Sequence, residues 1–159
     1  MRAIIHKIFD PFTYVSNRDT YESEDVVKTY ARHFYLKKPE ETILNNLRSG
    51  LPNMRMLDIG IGAGRTTHYF AHLTKEYVGI DYSENMIKMC RGKFPNHPKK
   101  ISFEVCDARS LKFFEDRYFD FVLFSLNGLD YSNHEDRLRA LREIRRSTKK
   151  GGVLLFFDT

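Results

Sequence analysis

Five short apolar runs, at residues 54–59, 77–80, 101–105, 119–124 and 153–157, punctuate the later part of the chain, and apart from 101–105 they do not alternate apolar with polar. Strands covered on both faces read this way, because neither side-chain direction meets water. Between the runs lie stretches with helical spacing. Residues 66–73 form one, residues 83–94 align Met86, Met89, Cys90 and Phe94, and residues 134–148 align Leu138, Leu141 and Ile144. Strand and helix in this alternation predict a parallel sheet with right-handed crossovers, since parallel neighbours cannot be joined by a tight hairpin. The last helix is expected to open on Ser132-Asn133-His134-Glu135 as an S-x-x-E capping box and to stop at Lys149-Lys150-Gly151.

Ahead of this core stands an aromatic-rich leader, residues 1–50. From 24 to 38, Val27, Tyr30, Ala31, Phe34 and Tyr35 step by three and four, which predicts a helix. Pro39 breaks it and starts a second, over 39–49, since proline is tolerated at the first helical position; Gly50 and Pro52 end that one. A single domain over 1–159 is expected, with the leader and its two cap helices at 1–50 and the core at 54–158. With 159 residues, 42% apolar and 30% charged, the chain can bury a full core without disulfide or metal.

Several function classes drop out on composition. No run approaches the roughly 18 apolar residues of a membrane span, and Arg2, His6 and Lys7 leave no room for a signal-peptide apolar region. The two cysteines, Cys90 and Cys106, form no CxxC pair and lie in no zinc-ligand spacing, so both read as buried apolar residues, no metal is expected, and the cytoplasm is the expected compartment. The net charge of +5 would suit a nucleic acid. Most of it sits on Arg137, Arg139, Arg142, Arg145, Arg146, Lys149 and Lys150, with Glu135, Asp136 and Glu143 interspersed, which reads first as a solvated helix face and second as an RNA footprint.

The chemistry concentrates at Leu57-Asp58-Ile59-Gly60-Ile61-Gly62-Ala63-Gly64-Arg65, where the first strand turns into a helix. Glycines there let backbone approach a ligand closely. A P-loop would need Gly-Lys-Ser/Thr, and Gly64-Arg65-Thr66 stands instead. A nicotinamide site wants G-x-G-x-x-G, whereas this register is D-x-G-x-G-x-G, with an acid that sits badly beside a pyrophosphate and well beside an ammonium and a sulfonium.

The stretch from Asp58 through Gly60 and Gly62 to Gly64 resembles the signature loop of class I S-adenosylmethionine-dependent methyltransferases. Further segments are similar to that family in the same order. Gly79-Ile80-Asp81-Tyr82-Ser83 resembles the end of its second strand, where a carboxylate accepts from both ribose hydroxyls, and Cys106-Asp107-Ala108-Arg109 resembles the loop after its third, where an acid takes the adenine amino group. Phe119-Asp120-Phe121-Val122, leading to Ser125, Asn127 and Asp130, resembles the fourth strand and the place where donor methyl meets acceptor. Residues 141–146 and Lys150-Gly151-Gly152-Val153 are similar to the helix and turn into the fifth.

The resemblance covers roughly residues 54–158 and implies a doubly wound α/β fold with sheet order 3-2-1-4-5, helices on both faces and two N-terminal helices. It assigns S-adenosylmethionine as cofactor, bound by Asp58, Gly60, Gly62, Gly64, Asp81, Tyr82 and Met86 at one end and by Asp107, Ala108, Ser125 and Asn127 at the other. From the leader, Tyr14, Tyr30 and Arg32 are candidates to reach over the donor. The expected activity is methyl transfer to an O or N nucleophile of a small molecule. An RNA acceptor and a donor-binding module without chemistry are the alternatives. No D/N-P-P-Y/F follows the fourth strand and no Pro-Cys supplies a pyrimidine nucleophile. A base is optional when the donor is already activated, and Asp130 or His134 is the candidate if one acts.

The family's sheet continues past strand five with two more strands that this sequence lacks. Strand five, Gly152-Val153-Leu154-Leu155-Phe156-Phe157, is therefore expected to be a flat apolar edge, covered by further chain of a longer protein or paired with a second copy in a homodimer.

Overall fold

The computed structural model describes residues 23–30, 35–96, 98, 100–125 and 133–157. The leader contributes α1 (Glu24–Tyr30) and α2 (Lys38–Leu47), followed by a single 3-10 turn, Leu51–Asn53. The core then runs β1 (Arg55–Ile59), α3 (Thr67–Phe70), β2 (Glu76–Asp81), α4 (Glu84–Lys93), β3 (Ile101–Val105), β4 (Phe119–Ser125), α5 (His134–Ser147) and β5 (Thr148–Phe157). The five strands make one parallel sheet in the order β3-β2-β1-β4-β5. Direction of progression reverses between β1 and β4, so a crevice opens outside their adjacent carboxyl ends.

The continuous apolar runs are explained by two cores, one on each face of the sheet. Successive strand residues point to opposite faces. Met56 of β1, Tyr77 of β2, Phe103 of β3 and Phe121 and Leu123 of β4 pack with Leu44 of α2, Phe70 of α3 and Ile87 and Cys90 of α4. Their neighbours Leu57, Ile59, Val78, Ile80, Val122 and Phe124 face Leu111 and Ile144 of α5. Each such side chain, fully buried, contributes about 1.5–3 kcal/mol. No helix joins β3 to β4: residues 106–118 are turns, and Leu111 and Phe114 from that segment pack under the second face in its place.

Four expectations shift at element ends. The helix expected over 66–73 is only Thr67–Phe70: Thr66 still belongs to the turn that follows the glycine loop, and residues 71–73 are turn. Pro39 is the second residue of α2, and α1 is described only to Tyr30. The cap of α5 is Asn133, whose side chain accepts from Asp136 N at 2.9 Å, so the S-x-x-E box on Ser132 is replaced by an Asn-x-x-Asp arrangement one residue on. Lys149, Lys150 and Gly151 do not end that helix: α5 stops at Ser147 and β5 begins at Thr148. Gly151, at φ +77, serves a bulge in which Asp120 of β4 faces residues 149–152 of β5. β5 lies at the end of the sheet, with Leu154 and Phe156 exposed on one face.

Candidate active site

The loop that follows β1 is fixed from every neighbouring element. Gly60, Gly62 and Gly64 have φ of +69, +53 and +81, a region closed to most side chains. Gly64 needs glycine twice over, since a Cβ there would lie 2.7 Å from Cys90 Sγ and 2.8 Å from Phe94 Cε2. From β2, the Asp81 carboxylate accepts from Gly62 N through one oxygen and from Ser83 N through the other, both at 2.9 Å. From α4, Lys93 Nζ donates to Ala63 O at 2.9 Å. From α2, both carboxylate oxygens of Glu40 receive the two terminal nitrogens of Arg65, at 2.5 and 2.6 Å.

Asp58 lies beneath the loop, 1% exposed. Its Oδ2 accepts from Thr66 Oγ1 at 2.6 Å and Tyr77 OH at 2.7 Å, and Tyr77 OH is also 2.9 Å from Thr67 Oγ1. Burial pushes the carboxyl up to about 7 against the pull of those two hydroxyls. The same desolvation, reinforced by Asp58, raises the Tyr77 phenol well above its ordinary range. Asp58 thus joins β1, β2 and the start of the loop.

At the end of β3 the third acid is arranged differently. Asp107 is half-exposed and takes Nε and Nη2 of Arg109, while Arg109 Nη1 reaches Asp136 of α5 at 2.8 Å. These two carboxylates hold the guanidinium protonated more firmly than usual. Ala108 is partly buried in the second core.

Among the other expected residues, Ser125 is buried at the end of β4, and Tyr82 is half-buried at the end of β2. Met86 packs with Ala63 of the loop and Val27 of α1, so it joins leader and loop. His134 is exposed at the first position of α5. Tyr14, Arg32, Asn127 and Asp130 lie outside the described residues, as does the side chain of Tyr30. Both thiols are raised by burial, Cys90 to about 12; Cys106 is half-buried where a buried position was expected. Among the described residues no group of three or more His, Cys, Asp or Glu could hold a metal, and no helix is long and apolar enough to cross a membrane.

Glu40, Arg65, Tyr77 and Lys93 were not legible as site residues. A tyrosine inside an otherwise apolar strand run and an arginine directly after the last loop glycine are the signals that mark two of them.

Residues 56–152 match the family described as Methyltransferase domain. The chain belongs to the class I S-adenosylmethionine-dependent methyltransferases. Its cofactor is S-adenosylmethionine, and the loop geometry fits that donor: at Gly60 the nearest described atom to an added Cβ is Phe124 Cε2 at 3.8 Å, so exposed backbone meets the crevice there. Among curated relatives of this methyltransferase, the ubiquinone/menaquinone biosynthesis C-methyltransferase UbiE of Bordetella avium is 36% identical over 110 residues, 67% of this chain and 41% of that enzyme. The chain spans less than half the length of the curated relatives it matches. A solved S-adenosylmethionine-dependent methyltransferase of Methanosarcina mazei is 27% identical at a TM-score of 0.60, covering 72% of this chain and 55% of that one. A Methanococcus maripaludis structure, 22% identical, shares the fold at a TM-score of 0.72 over 92% of this chain and 68% of its own.

Proposed function

We propose that this protein transfers a methyl group from S-adenosylmethionine to a nucleophilic atom of a small molecule. The observation that carries the reading is the glycine loop pinned by Asp81 at the β1/β4 crevice, with Asp107 at the mouth of the neighbouring strand. When bound, the donor supplies a methyl on a positively charged sulfur that departs as a neutral thioether. What remains for the chain is alignment and exclusion of water.

Gly60 offers open backbone, Asp81 sets the loop against β2, and Ser125 closes the β4 side of the crevice. Asp107 is the acid in reach of an adenine amino group. The methyl bond forms from an acceptor lone pair as the carbon–sulfur bond breaks with its electrons left on sulfur. Any acceptor proton passes to a base or to solvent. His134, exposed where α5 begins, and Asp130 are the candidates to take it.

Oxygen and nitrogen are the acceptor atoms expected from the sequence. The name of the Bordetella avium relative favours a second reading, in which the acceptor is a carbon activated by a neighbouring oxygen. Incubation with methyl-labelled S-adenosylmethionine and a panel of phenols, amines and hydroquinones, followed by mass analysis, separates these. One class should gain a single methyl in step with the demethylated donor. Donor binding with no turnover on the panel, or salt-sensitive labelling of RNA alone, would overturn the small-molecule reading.

A further inference from the structure

Arg65 is a junction between three segments that the sequence keeps far apart. Its Nη1 donates to Tyr35 O at 3.0 Å and to Glu40 Oε2, its Nη2 donates to Glu40 Oε1, and Nη2 lies 3.4 Å from Ser125 Oγ. Glu40, fully buried, also accepts from Lys37 N at 2.6 Å, which fixes the entry into α2. One guanidinium therefore ties the leader to the last residue of the glycine loop turn and to the end of β4, at the crevice between β1 and β4.

A hydrophobic pair would hold α2 on the core as well or better, because two desolvated charges repay their burial only when the geometry is very good. What the fork adds is direction. Both oxygens meet both terminal nitrogens, so α2 cannot slide or rotate without moving Arg65, and Arg65 follows Gly64 directly. Asp58 of β1 is felt by the same guanidinium.

We propose that Glu40 and Arg65 are positioning residues that make donor binding depend on the leader: α2 holds the glycine loop in its ligand-ready shape through this pair. The proposal rests on S-adenosylmethionine as the ligand, and titration of the unaltered chain with it checks that separately.

The test compares S-adenosylmethionine affinity with thermal stability across three proteins. In Glu40→Gln, an unpaired buried guanidinium should lower both. In Glu40→Leu with Arg65→Met, no buried charge is left unpaired, so stability should return while donor affinity stays about tenfold or more below the original. Arg65→Lys keeps the charge but loses the fork, so affinity should fall by a similar factor with a smaller loss of stability than in Glu40→Gln; it decides the matter if the double variant fails to fold. Original affinity in a folded double variant, or in Arg65→Lys, would show that the pair only packs α2 and would overturn the proposal.

Discussion

The acid that ends β2 and the acid that follows β3 are held in opposite ways. Asp81 is buried, and both its oxygens grip backbone N–H groups of the glycine loop and of the turn into α4. Asp107 is half-exposed and grips a mobile-length side chain, Arg109, which is shared with Asp136 on α5. Backbone partners cannot leave without remaking the loop, whereas a surface guanidinium can be exchanged for another donor at a cost of about 1 kcal/mol or less. The glycine loop is thus held by backbone contacts, and the β3 end by exchangeable side-chain ones.

The strongest way to break that contrast is Gly64→Ala. A methyl at φ +81, driven against Cys90 and Phe94, should destabilise the domain by about 4 kcal/mol and abolish donor binding, read by urea unfolding and calorimetry. A variant of original stability would mean that the loop has slack.

Next comes the pH response of the buried acid beneath the loop. Because the Asp58 carboxyl is pushed up to about 7 in the folded chain, the folded state holds a proton that the unfolded state gives up near its ordinary value. Stability from this group is full below the unfolded value and is lost as pH rises toward 7, by about 2–4 kcal/mol. Asp58→Asn, which cannot ionise, should flatten that part of the stability profile between roughly pH 4 and 7. An unaltered slope in the variant would place the titration elsewhere.

Arg109→Gln should do least. Its ion pairs are largely exposed, so unfolding free energy should move by no more than about 1 kcal/mol and donor affinity by a few-fold at most. A collapse of donor binding would make the β3 end as rigid as the loop.

The architecture was legible because runs such as Phe119–Ser125 are apolar on both faces, and only a sheet covered twice asks for that. The start of β5 was not, because Lys149-Lys150-Gly151 carries the composition of a helix stop while its place in the fold is a bulge beside Asp120. Lys149 Nζ donates to Asp120 at 2.7 Å there, a contact 29 residues apart in sequence. Arg146 likewise read as part of a solvated face, yet it binds Glu143, Asp116 and the carbonyls of Leu111 and Phe114. The places of Asp58, Asp81 and Asp107, in β1, at the end of β2 and after β3, were readable from motif position. Glu40 was not, since a glutamate in a first helical turn ordinarily serves the helix terminus in water, and its burial depends on an arginine 25 residues away.

Calorimetric titration of S-adenosylmethionine into the original chain and into Asp81→Ala tests the account most directly, with NAD as the comparison ligand. Removing the acid that holds the loop should weaken binding by about 1.5–3 kcal/mol while the domain stays folded, Asp81→Asn should be milder, and NAD should give no heat. Unchanged donor affinity in folded Asp81→Ala, or NAD binding without S-adenosylmethionine binding, would contradict it.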